Sequence, residues 1–404
     1  MGNSLKVDGR APVHLFASAG SWVEGKALQQ LDQVAALPGV EAVAGMPDLH
    51  PGKYGPVGCG ILADRLFPQF VGSDIGCGMG LFRLDVAARK VRLDTVADRL
   101  RGLDEPWDGD IQAALAEAGL TATGFDAALG SIGGGNHFCE FQTIESIVEP
   151  DIAEQAGLDS ALAYLLVHSG SRGLGHAILE RRLAGGVPAL EIQSEAGRLY
   201  LDEHDRAVRW ARLNRQIIAR RAAEAARCES ESAADLSHNM VEVQARPDAP
   251  ALALHRKGAA PSDRGLVPVP GSRGTLSYLV QPLGGAADEA LACLAHGAGR
   301  KYDRASTHGR VATRKSDLAR LARNPFGGLV VCEDRNLLVE ESPDAYKNIE
   351  RVIADLAEFG LARVVATFRP LVTFKTAVNR AERSEARRWA KPSRGEKPSR
   401  GERR

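Results

Sequence analysis

The apolar positions of this chain fall into short runs punctuated by glycine. Residues 27–36 and 87–102 carry apolar side chains at helical spacing, as in Ala27, Leu31, Val34 and Ala35, and predict helices. The intervening runs 40–46, 58–63, 70–74 and 81–85 predict short strands. Residues 161–168 form an apolar strand that runs directly into Ser169-Gly170-Ser171-Arg172-Gly173. A long helix rich in Ala, Arg, Leu and Glu is predicted over about 189–227. Segment 264–283 alternates Gly, Pro and Ser with short β segments, and a helix is predicted at 285–294. Strands at 328–332 and 363–369 flank a predicted helix at 344–359. No βαβ repeat is visible, so the mixture predicts an α+β fold, or α/β with a mixed sheet. No linker interrupts the chain before about 383, and residues 1–382 are expected to form one catalytic domain.

Composition narrows the class. The 404 residues hold 51 Lys+Arg and 51 Asp+Glu, with 44% hydrophobic and 25% charged residues, a balance that argues against wholesale disorder. No apolar stretch reaches the ~18–20 residues of a membrane span, and the N-terminus lacks the layout of a secretory signal. Six cysteines without a Cys-x-x-Cys pair make no disulfide framework, and a reducing cytoplasm is the expected compartment. The zero net charge hides a split. Residues 383–404 hold nine Lys/Arg against three Glu and repeat Lys-Pro-Ser-Arg-Gly-Glu in tandem, which predicts a basic, disordered tail. The remainder is mildly acidic.

The chemistry concentrates in glycine-rich turns. Met46-Pro47-Asp48-Leu49-His50-Pro51-Gly52 displays an Asp and a His, and the following Lys53-Tyr54 is not a phosphate-binding P-loop. Gly72-Ser73-Asp74-Ile75-Gly76-Cys77-Gly78-Met79-Gly80 offers a carboxylate and a thiol three residues apart, a hard and a soft ligand for a transition metal. Gly133-Gly134-Gly135-Asn136-His137-Phe138-Cys139-Glu140 pairs exposed backbone with a donor, a ligand and an acceptor. His168 stands at a strand end before Ser169 and Arg172, and His238 closes a polar loop. Asp74, Cys77 and three histidines exceed one tetrahedral zinc and suit two adjacent metals. His296-Gly297-Ala298-Gly299-Arg300 clears space beside an imidazole that can attack phosphorus, with an Arg to offset the charge. Pro270-Gly271-Ser272-Arg273-Gly274-Thr275-Leu276-Ser277 can cradle a phosphate or a base edge. Each pattern alone also fits an ordinary turn.

Taken in order, MPDLHPG (46–52), GSDIGCGMG (72–80), GGGNHFCE (133–140), VHSGSRGLGH (167–176), SHN (237–239), PGSRGTLSY (270–278) and HGAGR (296–300) resemble the RtcB family of RNA ligases. The resemblance runs from about Gly45 to Lys375. It implies an α+β fold particular to that family and a GTP- and Mn-dependent enzyme. Such an enzyme joins RNA ending in a 3′-phosphate or 2′,3′-cyclic phosphate to a 5′-hydroxyl, through a histidine-GMP intermediate and an RNA-ppG end. Carried over by motif, Asp74, Cys77, His137, His168 and His238 would hold two Mn ions with Cys77 bridging, and His296 would take the guanylate. Asn136, Phe138, Glu140, Asn239, Ser272, Gly274, Ser277, Ala298, Gly299, Arg300 and Lys375 would contact it. Arg172 and Arg304 would meet phosphates, and Asp48 would assist at the 5′-hydroxyl.

The stretch Lys53–Cys59, Asp303 before Arg304, and a short spacer between Gly80 and Gly133 depart from the usual pattern. They look like a compact branch encoded beside a release-factor homologue and linked to repair of translational RNA. An activating partner such as archease belongs to the same expectation. Two other readings remain at this stage: a two-metal phosphoesterase acting on cyclic RNA ends, which needs neither His296 nor Lys375, and an inactive RNA-binding scaffold.

Overall fold

The structure, a computed structural model, describes residues 3–5, 10–186, 188–284, 288–310 and 315–376; the basic segment 383–404 lies outside the described residues. Among the described residues two sheets carry most of the architecture. The larger has eight strands. Its order is Ser230–Ser237, Gly78–Ala87, Leu162–Ser169, Phe138–Ile147, Ala362–Thr376, Ser277–Pro282 and Val267–Val269, with Leu329–Cys332 alongside Ala362–Thr376. The smaller has six, in the order Asn3–Leu5, Val13–Leu15, Val40–His50, Val57–Ala63, Ala249–Lys257 and Asn239–Arg246.

Two neighbouring pairs are parallel, Val13–Leu15 with Val40–His50 and Leu329–Cys332 with Ala362–Thr376. Each needs a crossover, supplied by helix Gly25–Ala35 in one case and by helices Arg335–Glu340 and Ile349–Glu358 in the other. The rest of both sheets is antiparallel. Two isolated crossovers in different sheets make no repeat, and the fold is α+β.

Antiparallel register gathers the chemistry. Gly78 pairs with both Ser237 and Ser169, Phe138 with His168, and Phe374 with Cys139. The residues flanking these strand ends therefore meet at one end of the large sheet: Cys77, His137, His168, His238 and Lys375. The chain also crosses from the large sheet to the small one through His238 alone, because one strand ends at Ser237 and the next begins at Asn239.

Burial of apolar area locks this arrangement. One cluster joins Ala44 and Met46 of the small sheet to Val267, Val280 and Ala362 of the large one, under Ile349, Val352 and Leu356 of helix Ile349–Glu358. A second packs Ile218, Ala222 and Ala223 of the long helix Glu195–Ala226 on Phe82, Phe141, Leu165 and Phe374. Ser194 caps that helix by accepting from the Gly197 amide.

Three expected elements differ. Residues 70–74 are no strand: Pro68 opens a short helix, Pro68–Val71, and Gly72 at φ +84° ends it. The segment 87–102 is broken into a 3₁₀ turn at Ala88–Lys90, a helix at Leu93–Arg99 and a second 3₁₀ stretch from Leu100. The helix expected at 285–294 is absent from its described part. Leu291 and Ala292 take left-handed backbone (φ 52° and 48°), and Cys293–Ala295 pairs as a strand with Ala259–Pro261. Residues 285–287 lie outside the described residues.

Candidate active site

Cys77 stands at the centre of two ligand groups. With His168 and His238 it forms one cluster, and with Asp74 and His137 another, each with its ligand atoms within 4.8 Å of one another. The Cys77 sulfur lies 3.1 Å from His168 Nε2 and 3.4 Å from His137 Nε2, and His137 Nε2 lies 2.7 Å from Asp74 Oδ2. The rings are oriented from behind: His137 Nδ1 donates to the Ile132 carbonyl (3.1 Å) and His168 Nδ1 to the Asn136 carbonyl (3.2 Å). That fixes the tautomer that presents an Nε2 lone pair to the cluster, the usual support of a metal-bound histidine.

Burial pushes His168 and His238 well below the ordinary imidazole range, reinforced by the neighbouring rings, so both are neutral and able to ligate. Burial and the Asp74 carboxylate push the Cys77 thiol well up. Burial would raise Asp74 too, but His137, where its Nε2 keeps a proton for the carboxylate, holds it well below the usual carboxylate range, and a cation bound there would take that proton's place. A thiol, a carboxylate and imidazole lone pairs converging in a buried space are satisfied by a cation, which reverses the sign of the thiol's environment. Two ligand triplets sharing one sulfur fit a pair of metal ions.

A row of imidazoles leads out of the cluster. Ring centroids are 5.2 Å apart from His137 to His168, 5.2 Å from His168 to His238, and 4.6 Å from His238 to His296. His296 follows the short strand Cys293–Ala295, and its ring is fixed by Asp48. The Asp48 Oδ2 accepts from His296 Nδ1 (2.6 Å) and from the His296 amide (3.1 Å). Asp48 has no exposed surface, and its strand is anchored by Lys347, whose Nζ donates to the carbonyls of Pro47 (3.0 Å) and Leu49 (2.6 Å). The His296 Nε2 is left as the ring's free nitrogen. The resemblance implied a role for Asp48 at a 5′-hydroxyl; in the fold its carboxylate contacts the His296 ring.

A cavity of about 470 Å³ opens beside these rings. Its lining includes Asn136, Phe138, Glu140, Asn239, Ser272, Ser277, Ala298, Gly299, Arg300, Arg304 and Lys375, together with Asp74, Cys77, His168, His238 and His296. Gly274 is not in the lining; a side chain there would meet Pro343. Arg172 is also outside it, packed on the Gly133 backbone, where a Cβ would collide with its guanidinium. Glu140 is buried and pushed up to about 7 by desolvation, while Thr373 and Gln142 donate to it.

Several residues of the site had escaped the sequence reading. Glu341 is buried and accepts from Arg300 Nη1 (3.0 Å), Lys375 Nζ (3.2 Å) and the Tyr346 hydroxyl. Burial alone would raise it, but Lys375 and Arg300 hold it at about 2. Arg215, from the middle of the long helix, donates to the carbonyls of Gly76 (2.8 Å) and Ser169 (2.9 Å) and pairs with Asp235 (2.5 Å). It thereby ties the Cys77 turn to the strand ends on either side. Lys257 lines the cavity and donates to the Val71 carbonyl. The next residue, Gly258, has φ +58°, and a Cβ there would lie 2.9 Å from the His296 ring. Gly170 is constrained likewise, with Asp74 Oδ1 2.1 Å from the position of a Cβ. Only the Arg-Lys-Gly run at 256–258 carried a signal a sequence reader could have weighed.

The chain matches the model of a family described as RtcB, tRNA-splicing ligase RtcB, over residues 30–105 and 107–376. It is 43% identical over 375 residues to the RNA-splicing ligase RtcB2 of an Escherichia coli strain, covering 90% of this chain and 96% of that protein. It is 30% identical over 436 residues to the RNA-splicing ligase RtcB of Mycobacterium tuberculosis, covering 85% and 99%. The tRNA-splicing ligase RtcB of Thermococcus kodakarensis is 28% identical over 442 residues, covering 86% and 90%.

Proposed function

The chain belongs to the RtcB family, and from that premise we propose that it is an RNA ligase joining a 3′-phosphate or 2′,3′-cyclic phosphate end to a 5′-hydroxyl end at the expense of GTP. One observation carries the reading: the His296 ring, backed by Asp48, stands 4.6 Å from the His238 ring of a five-ligand cluster and faces a cavity lined by Lys375 and Arg300. A 3′-phosphate has no good leaving group and must be activated before a hydroxyl can displace it. A nucleophilic imidazole beside a nucleotide-sized cavity supplies such activation. A phosphoesterase would need the cluster but leaves the Asp48–His296 pair and Lys375 without a task. An inactive scaffold leaves an intact ligand set unexplained.

Asp74, Cys77, His137, His168 and His238 would hold the metals, with Cys77 shared; we take the ions as Mn²⁺. Bound there, they would act as Lewis acids and charge-neutralising templates for phosphates. The chain's own groups do the rest. Asp48 keeps the proton on His296 Nδ1 and offsets the positive charge the ring gains when Nε2 bonds to the α-phosphorus of GTP and the α–β anhydride bond breaks, releasing pyrophosphate. Glu140 would accept hydrogen bonds from a guanine edge, with Asn136, Phe138, Asn239, Ser272, Ser277, Ala298 and Gly299 completing the guanylate site. Arg300, Arg304 and Lys375 place positive charge at its rim.

No helix among the described residues is long and apolar enough to cross a membrane. All six cysteines are free, and Cys77 would need to stay reduced to ligate, which supports a reducing cytoplasm. An archease-like activator or a release-factor-linked repair system belongs to the same reading.

The test is covalent labelling. Incubation with Mn²⁺ and α-labelled GTP is expected to give an acid-labile label on the wild type and none on His296→Ala. An unlabelled wild type refutes the ligase reading, and a labelled His296→Ala refutes the nucleophile.

A further inference from the structure

Just outside the cavity lies a surface patch that the guanylate chemistry does not use. Arg300, Asp303 and Arg304 line the cavity, and the two residues between them, Lys301 and Tyr302, face a different neighbourhood. The Lys301 ammonium sits between two aromatic rings, 5.6 Å from the centroid of Trp22 and 5.3 Å from that of Tyr302. The Arg310 guanidinium lies over Tyr302 at 4.2 Å. Trp22 is 53% exposed, the most exposed of the large apolar side chains described.

The patch is held in place from beneath. The Lys301 amide donates to the Ala345 carbonyl (2.8 Å), and the Tyr302 carbonyl accepts from Arg300 Nε (3.0 Å). On the other side Ser21, next to Trp22, donates to the buried Asp355 and is bridged to it by Arg351. The indole is not a lone exposed apolar residue: with the Tyr302 ring and two cations it makes a contiguous aromatic and basic surface, the kind that marks an interaction site.

We infer that Trp22 and Tyr302, with Lys301 and Arg310, form a platform that grips unpaired nucleotides of the RNA substrate next to the catalytic cavity. Aromatic rings interleaved with cations are what a single strand requires: bases stack on the rings, and phosphates meet the Lys and Arg. A cation over an exposed ring is held weakly, so Lys301 and Arg310 exchange ring for phosphate when a base arrives. Lys301 and Tyr302 lie between Arg300 and Asp303, both of which line the cavity, so the platform borders its rim. Such a platform favours ends with a few unpaired nucleotides over fully base-paired ends.

The inference rests on the ligase reading, and its test separates the two. Self-guanylylation, which involves no RNA, is measured first. If the wild type takes no label, the ligase reading fails. With labelling established, the affinity for a single-stranded 3′-phosphate oligoribonucleotide is measured for wild type, Trp22→Ala and Trp22→Phe. Trp22→Ala is expected to weaken binding about tenfold with labelling unchanged, and Trp22→Phe, which keeps a stacking face, to restore most of it. Lys301→Gln is expected to flatten the salt dependence. A blunt, fully paired RNA should bind all the variants alike. Equal binding of the oligoribonucleotide by wild type and Trp22→Ala overturns the inference and leaves the patch to some other partner.

Discussion

Substituting Asp48 tests the chemistry most directly. Its Oδ2 takes two donors from one residue, the amide and the Nδ1 of His296. In Asp48→Asn the amide oxygen must occupy that place, because the NH₂ group would face two donors. The Asn variant therefore keeps the ring orientation and tautomer and loses the charge, with its NH₂ group placed where Asp48 Oδ1 is buried without a partner. A hydrogen bond to an ionised partner is worth about 1.5–3 kcal/mol, so the label should form on His296 about 10- to 150-fold more slowly in this variant. Asp48→Ala also frees the ring and leaves the buried His296 amide unpaired. A loss of about 10³–10⁴ is expected, comparable with what disturbing the orienting carboxylate costs a serine-protease triad. The assay is single-turnover labelling with α-labelled GTP, run beside metal analysis to show that the cluster is intact. The alternative drawn from the motif alone puts Asp48 at the 5′-hydroxyl. It predicts normal labelling and a defect confined to the sealing step. Labelling within about threefold of wild type in Asp48→Ala would refute the orienting role.

Further outcomes follow from the same geometry. Because Cys77 belongs to both ligand groups, Cys77→Ala should abolish the binding of both metals, whereas His238→Ala should leave about one per chain; plasma emission analysis after dialysis distinguishes these. Glu341 has its folded-state pKa depressed from 4.5 to about 2. Its contribution of about 3 kcal/mol is present above pH 4.5 and is lost as pH falls toward about 2. In Glu341→Gln, urea midpoints should fall less steeply with acidification, from a lower starting stability because Lys375 and Arg300 lose a buried counterion; an unchanged pH slope contradicts the assignment. Arg215→Met should destabilise by about 3–5 kcal/mol, since it strands the buried Asp235, as read from the urea midpoint at pH 7. Glu140→Gln should reduce discrimination of GTP over ATP in labelling by about tenfold or more, because one acceptor to the guanine edge becomes a donor.

Sequence alone identified the parts of this protein. Glycine-rich turns have few alternatives to tight backbone, and ligating residues set in them are legible one by one: Asp74 and Cys77, His137, His168, His238, His296. Their order along the chain carried the family resemblance, and the apolar periodicity carried the helix at Gly25–Ala35, the long helix and most of the strands. What sequence could not provide was anything that depends on register and depth. Which strand ends meet is decided by antiparallel pairing across segments far apart in the chain, so the convergence of Cys77, His168 and His238 appears only once Gly78 lies between Ser169 and Ser237. The role of Asp48 depended on burial, which turned an apparently exposed turn residue into the partner of His296. Arg215 and Glu341 sit in helical and polar contexts that look ordinary locally, and only tertiary packing puts their charges, and that of Lys257, where solvent cannot neutralise them. The missed strand at Cys293–Ala295 has the same origin: local apolar spacing favoured a helix, and pairing with Ala259–Pro261 outweighed it.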